Sequence, residues 1–293
     1  MKRFLYILLF IIVAALICIG SLTVSHRCLY KHPEPAKGRE LSIVSYNTQR
    51  MNAARKADKN EVIKYILQTD ADVVCLQEVD VYKNNKYITL SELRNALRRY
   101  PYTYFDFKVY NSRRQYGNAV FSRYPLTGKH TIEYDSRANI TSCCDVCVGD
   151  DTIRLFVNHL ESNRIAQKDI DSVMQTGSLK HGNIISKLRK ASMFRTKQAE
   201  AVKKTVGESP YPCLVVGDFN APPFSLTYLK MSRGMKDCFL YCSNGKIGNT
   251  WVYNNIGVRI DYILCSETLL PRRFSVDKVQ GSDHYPVRAT VVW

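Results

Sequence analysis

Hydrophobic and polar positions divide this chain into three stretches. An uncharged apolar run extends from Phe4 to Gly20 and continues more weakly from Ser21 to Ser25. Residues 26–40 then mix Pro33, Pro35 and Gly38 with charges, the composition of a short tether. From Leu41 to Trp293 the pattern is globular. Short apolar runs rich in branched residues predict strands at Leu41–Tyr46, Val73–Leu76, Ala119–Phe121, Ile153–Val157, Leu214–Val216, Ile260–Leu264 and Val287–Val291. Apolar residues recurring at three- and four-residue spacing predict helices over Lys59–Gln68, Leu90–Arg99 and Ser192–Val206. Interleaved strands and helices make the domain α/β with buried sheets. Residues 162–190 are polar and unpatterned and predict a long loop flanking the site.

Lys2 and Arg3 precede the apolar run, and no small-residue cleavage pattern follows it. A cleavable leader has an apolar region of roughly 7–15 residues. This run approaches the ~20 residues that span hydrocarbon. Residues 1–25 are therefore expected to form an uncleaved signal anchor, one transmembrane helix, with 26–40 a linker and 41–293 the folded domain. Arg27, Lys31, Lys37 and Arg39 follow the span, so charge gives no clean orientation. Long C-terminal domains translocate largely regardless of charge, which places the domain outside the cytoplasm.

Composition narrows the partner class. With 45% hydrophobic and 23% charged residues the chain is neither disordered nor low-complexity. Lys and Arg number 42 against 26 Asp and Glu, a net charge of +16. Such a surplus favours nucleic acid, phospholipid headgroups or phosphorylated small molecules without choosing between them. Of ten cysteines, Cys143, Cys144 and Cys147 include a C-x-x-C spacing, but no second pair or nearby histidine completes a zinc site. Disulfides would suit an oxidising compartment, with the pairing open. Cys75 and Cys213 sit in apolar strands and read as small core residues.

Nearly every predicted strand ends beside a polar residue of a type that does chemistry. Asn47 follows Tyr46, and Glu78 follows Gln77. His159 follows Asn158, and Gly217-Asp218-Phe219-Asn220 closes another strand. Asp261 lies in the strand Ile260–Leu264, and Asp283-His284 precedes the last. Any one of these alone would be a cap or turn residue. Together, on neighbouring strand ends, they converge on one rim where a binding site forms. Carboxylate and amide oxygens suit a hard ion such as Mg²⁺ or Mn²⁺. A carboxylate can deprotonate a water, a His–Asp pair can hold a proton, and Asn or His can donate to charge building on a phosphoryl group.

With these residues in view, the sequence resembles the endonuclease/exonuclease/phosphatase superfamily, which includes deoxyribonuclease I, neutral sphingomyelinases and inositol polyphosphate 5-phosphatases. The segments that carry the resemblance are SYNTQ (45–49), LQEV (76–79), YGNAVFSRYPL (116–126), NHLES (158–162), GDFNAPP (217–223), RIDYIL (259–264) and GSDHYPV (281–287). The resemblance implies a four-layer α-β-β-α sandwich and a single catalytic domain over 41–293. It further implies Glu78 as the principal metal ligand, helped by Asn47 and Asp283. Asp218 would orient or deprotonate the attacking water, Asn220 would contact the phosphoryl group, and His284, partnered by Asp261, would contact the scissile phosphate. His159 matches the phosphodiesterase and phosphatase branches rather than the abasic-site enzymes, which carry tyrosine there. Asn118 is expected to border the substrate pocket.

The expected function is metal-dependent hydrolysis of a phosphodiester or phosphomonoester at a membrane, the substrate being a lipid headgroup or inositol phosphate. The alternative is a membrane-tethered nuclease acting on DNA or RNA, for which the aromatic segment Tyr100–Tyr110 could line a groove instead of packing at an edge. A catalytically silent binding protein on the same fold is the third reading, disfavoured by the intact set of polar residues. No obligate protein partner is inferred. Selectivity is expected in the segments 80–90, 108–116, 136–150 and 162–190.

Overall fold

The computed structural model describes residues 38–163, 184–243, 248–253 and 256–293. Two six-stranded sheets dominate it. The first holds β1 (Glu40–Asn47), β2 (Val73–Tyr82), β3 (Tyr102–Tyr110), β4 (Arg114–Ser122), β13 (Leu270–Val276) and β14 (Val287–Val292), in the order β13-β14-β1-β2-β4-β3. The second holds β5 (Leu126–Ile132), β6 (Ile140–Val148), β7 (Asp151–His159), β8 (Cys213–Asp218), β9 (Met235–Asp237) and β12 (Asp261–Ser266), in the order β5-β6-β7-β8-β12-β9. A small ribbon pairs β10 (Trp251–Tyr253) with β11 (Ile256–Val258). Each large sheet contains one parallel pair, β1–β2 and β7–β8, joined through helices. Those crossovers send the C-terminal ends of four strands to the same side.

Side-chain alternation builds three apolar layers. Ile43, Val73, Cys75 and Val120 of the first sheet meet Leu155, Val157, Leu214, Val216 and Ile263 of the second in a central core. The opposite face of the first sheet, with Val44, Tyr46, Val74 and Leu76, packs on α2 (Glu61–Thr69) and α3 (Leu90–Ala96). The outer face of the second, with Phe156, Val215 and Leu264, packs on α4 (Ile184–Gly207) and α5 (Leu226–Ser232). A short α6 (Cys238–Cys242) closes that side. Strands buried on both faces read as continuous apolar runs, which is why they were legible as strands. Helix starts follow local chemistry: Asn60 accepts from Ile63 N–H to begin α2, and Thr89 with Glu92 forms a capping box for α3.

Two segments expected to be loops need adjusting. The segment 162–190 is not all loop, because α4 begins at Ile184, eight residues before the expected helix start; residues 164–183 lie outside the described residues. Its early turns are rich in Lys and Arg, and so lack the apolar stripe that marks a helix in sequence. The segment 136–150 is largely β6, buried through most of its length. Cys143 and Cys144 face opposite core layers, and the carboxylate of Asp145 is paired across the strands by Arg154 at 2.7 and 3.0 Å. Polar residues and cysteines hid a strand whose pattern is apolar in three dimensions. All eight described cysteines are free thiols, with Cys75 and Cys213 in the core. Tyr102–Tyr110 forms the edge strand β3, half-buried for most of its length, which is the edge packing favoured over a groove lining for this aromatic segment. The apolar run at Phe4–Gly20 lies outside the described residues, and among those described no helix is long and apolar enough to cross a membrane.

Candidate active site

Register alone assembles half of the site. In the second sheet His159 at the end of β7 pairs with Asp218 at the end of β8, and Asp218 pairs in turn with Asp261 at the start of β12. Three chemically active side chains thus stand side by side across three adjacent strands. Gly217 lets β7 and β8 close up at this point. Its φ is +124°, and a Cβ there would lie 2.1 Å from the Asn158 carbonyl oxygen.

The first sheet brings its residues in through irregular backbone. Asn47 ends β1 opposite Gln77 of β2. A bulge between Leu76 and Val79 interrupts the pairing of β2 with β4, and Glu78 sits in it at φ +55°. A bulge adds a residue and re-aims the side chain it carries. After Asn47 the chain enters a short helix, α1 (Gln49–Ala54), in which Gln49, Arg50, Met51, Asn52 and Ala54 all have φ between +43° and +61°. Left-handed turns of L-residues cost roughly 1–2 kcal/mol per residue and need outside support. Thr48 supplies part of it, with Oγ1 accepting from Met51 N–H at 3.1 Å and lying 3.0 Å from the Gln77 and Glu78 carbonyls. Asn52 Nδ2 adds a bond to the Gly281 carbonyl at 2.9 Å.

The two halves meet at Asn47, whose Nδ2 donates to Glu78 Oε1 at 3.2 Å and to Asp218 Oδ2 at 3.0 Å. His159 Nε2 lies 3.5 Å from Glu78 Oε1. Asn220, at φ +49°, turns back so that its backbone N–H reaches Asp218 Oδ1 at 2.7 Å, while its Nδ2 donates to Asp218 Oδ2 and the Leu160 carbonyl. His284 is held by Asp261, Nδ1 to Oδ2 at 2.9 Å, with Nε2 3.9 Å from Asp218 Oδ2. Ser282 Oγ donates to the Asn47 carbonyl and accepts from His284 N–H, which ties this loop to the end of β1.

Burial sets the charges. Asp218 is raised to about 6, chiefly by desolvation and then by the charge of Asp261, against the pull of the two histidines. Burial works against a charged His284, but Asp261, Asp218 and Asp283 outweigh it and lift the imidazole to about 10. His284 is therefore an imidazolium at neutral pH. By formal charge, the four carboxyl groups of Glu78, Asp218, Asp261 and Asp283 outnumber the two imidazoles of His159 and His284. An oxygen-rich cluster of this kind fits a divalent cation.

Of the expected residues, Asn47, Glu78, His159, Asp218, Asn220, Asp261 and His284 form one continuous network. Asp283 joins at its edge, accepting from Trp251 Nε1 at 3.2 Å. Asn118 is placed differently. It lies on β4 and its Nδ2 bonds Ser142 Oγ and the Val157 carbonyl, bridging the two sheets beneath the rim. Three contributors were not foreseen. Thr250 is fully buried, and its Oγ1 accepts from the backbone N–H groups of Ile260 and Asp261, fixing the start of β12. Trp251 bridges to His284 and holds Asp283. The Tyr116 phenol is pushed up by burial and by Glu78, Asp80 and Asp218. Thr250 and Trp251 stand just upstream of RIDYIL with no spacing to single them out, whereas Tyr116 opens a motif already recognised.

The sequence profile described as Endonuclease/Exonuclease/phosphatase family matches residues 44–284, from β1 to His284 itself. The chain belongs to this family. The match spans every catalytic candidate, and family members are phosphoester hydrolases that generally use divalent metal ions. No curated protein matches the chain. Among solved structures, truncated TDP2 of Caenorhabditis elegans superimposes with a TM-score of 0.61 at 17% identity, covering 89% of this chain and 100% of that one. A family member from Beutenbergia cavernae gives 0.62 at 16% identity, over 87% of this chain and 72% of that one. The mannosyl-6-phosphatase of Bacteroides thetaiotaomicron gives 0.58 at 17%, over 86% and 100%. At these identities the likeness speaks for the fold, and substrates differ between such relatives.

Proposed function

We propose that this endonuclease/exonuclease/phosphatase family member is a Mg²⁺- or Mn²⁺-dependent phosphoesterase in which Asp218 activates the attacking water. The observation that carries this reading is the buried Asp218, bonded by Asn47 and Asn220 and facing an imidazolium at His284. A carboxylate raised to about 6 is still ionised at neutral pH and basic enough to take a proton from water. Asp218, Asp261 and His284 offer atoms within 4.8 Å of one another, close enough to suggest a metal nest. The pairing of His284 Nδ1 with Asp261 Oδ2 at 2.9 Å favours the protonated ring, which suits His284 to proton handling better than to holding an ion. The triad handles protons and charge on the phosphate. The ion belongs with Glu78, aided by Asn47 and Asp283, where it would supply Lewis-acid stabilisation of the phosphoryl oxygens. His159 then stands where it can donate to the phosphoryl group, whereas Asn220, both of whose amide protons go to Asp218 and the Leu160 carbonyl, holds the base in place.

The apolar run at Phe4–Gly20 supports a single-pass anchor with the catalytic domain outside the cytoplasm, where a chain whose overall charge is +16 would meet an anionic surface. Resistance of the full-length protein to carbonate extraction from membranes tests the anchor, and release by carbonate rejects it. For the reaction, plasmid DNA, sphingomyelin and an inositol phosphate are offered with Mg²⁺ and then with EDTA. Chelator-sensitive headgroup or phosphate release supports the leading reading, and DNA cleavage alone supports a nuclease, which the basic surface also suits. Turnover that survives chelation contradicts both.

A further inference from the structure

Beyond Glu78 the strand β2 carries a second built feature. Asp80 is completely buried, and its Oδ2 accepts from Arg50 Nε at 2.8 Å and from Arg114 Nη1 at 2.8 Å. Arg50 also donates from Nη2 to Tyr82 Oη at 2.8 Å. Among the described residues neither guanidinium makes any other hydrogen bond, although each carries five N–H donors. Both arginines keep solvent contact, with side chains 50% and 34% exposed. One carboxylate held by two guanidiniums leaves a net positive charge in a fixed place.

The position of this pair is informative. Asp80 follows Glu78 by two residues on β2, just past the bulge that carries Glu78. Tyr116 pairs directly across from Asp80 on β4, and its phenol feels Glu78, Asp218 and Arg50 together. Arg50 reaches this place only because the left-handed α1 carries it there, at φ +59°. Strained backbone of this kind persists where surroundings over-determine it and clusters at ligand clamps. The bland account, that two arginines merely neutralise Asp80, leaves this arrangement unexplained, since one guanidinium would neutralise it and an apolar residue would need none.

We infer that Arg50 and Arg114, braced by Asp80, form a clamp for a second phosphate of the substrate, next to the phosphate being hydrolysed. Guanidinium forks match phosphate oxygens bidentately, and their bracing on Asp80 reduces the entropy lost on binding. The substrate class is then a molecule bearing at least two neighbouring phosphates, such as a nucleic acid strand or an inositol polyphosphate. This inference rests on the phosphoesterase reading of the site and adds the group that selects its substrate.

The test is binding without turnover, in EDTA, of fluorescein-labelled octathymidylate and, by competition, inositol hexakisphosphate to the full-length protein. Arg50→Gln leaves Asp80 paired with Arg114, so the fold is retained. Arg272→Gln is the charge-matched control, since Arg272 pairs with Glu40 at the far end of β1, about 23 Å from Asn47. The clamp predicts that Arg50→Gln weakens binding of at least one probe tenfold or more while the control loses less than twofold. Loss confined to octathymidylate identifies a strand, and loss confined to inositol hexakisphosphate a ring polyphosphate. Equal losses in the two variants, or none, overturn the clamp. Hydrolysis of bis(4-nitrophenyl) phosphate by the wild type reports separately on the function reading, because that ester has only one phosphate.

Discussion

The two sheets contribute to the same site by opposite means. The second delivers His159, Asp218 and Asp261 in unbroken register, each at the end of a regular strand. The first delivers Glu78 from a bulge at positive φ and follows Asn47 with a left-handed turn. His159, Asp218 and Asp261 thus rest on regular strands, whereas the principal expected metal ligand sits in a bulge at positive φ, beside a left-handed turn secured by Thr48 and Asn52. Proton transfer needs fixed distances between neighbours, which a sheet provides without further support. Placing a carboxylate beside a ion while holding it out of the core requires a departure from the strand, and the fold bears its cost locally.

Asp218 should show the largest effect. Asp218→Asn should lower turnover by at least ~100-fold, the scale of lost general-base participation, while the melting temperature rises. The sign follows from the titration. Asp218 is raised to about 6 in the folded protein, so its contribution to stability is full below its ordinary value near 4 and is lost as pH climbs through 6. The amide removes that loss, and the gain should appear in melting curves above pH 6 and vanish near pH 4. In the wild type the same group must be ionised to act, so kcat/KM should fall as pH drops through about 6. An acid limb well outside that region would assign the base elsewhere.

On the strained side, Glu78→Gln should raise the Mg²⁺ concentration for half-maximal rate by at least ~10-fold, a typical scale for disturbing a metal site. A Mg²⁺ titration of the variant checks it, and an unchanged midpoint would move the ion away from Glu78. The smallest effect sharpens the contrast. Thr48→Ala removes the hydroxyl that supports α1 and should cost about 1–2 kcal/mol, measured by chemical denaturation. A loss near zero would mean the left-handed turn is held by other contacts.

Much of this division was legible in the sequence. Regular strands ending in Asn158-His159 and Gly217-Asp218 announce themselves, because apolar runs stop where a polar residue of catalytic type begins. The register that sets His159 beside Asp218, and Asp218 beside Asp261, then follows from ordinary pairing. The bulge at Glu78 was not legible, since one extra residue in a strand leaves no periodic mark. Nor was the left-handed turn at Gln49–Ala54, which contains no glycine to advertise positive φ. Thr250 acts through its hydroxyl on two backbone N–H groups, a role any loop threonine could fill. Asn118 lies in a motif that borders the catalytic segments, and nothing in the sequence signals that its amide also ties the two sheets together. In β6, the cysteines suggested chemistry and concealed a buried strand.

Whether Asp218 is the base of a metal-dependent phosphoesterase is decided by the rate of bis(4-nitrophenyl) phosphate hydrolysis, measured across a Mg²⁺ titration for wild type and Asp218→Asn in parallel. In the wild type EDTA should abolish hydrolysis and Mg²⁺ restore it, with the variant slower by at least ~100-fold at saturating metal. Metal-independent hydrolysis, or a variant that keeps the wild-type rate, would contradict that assignment.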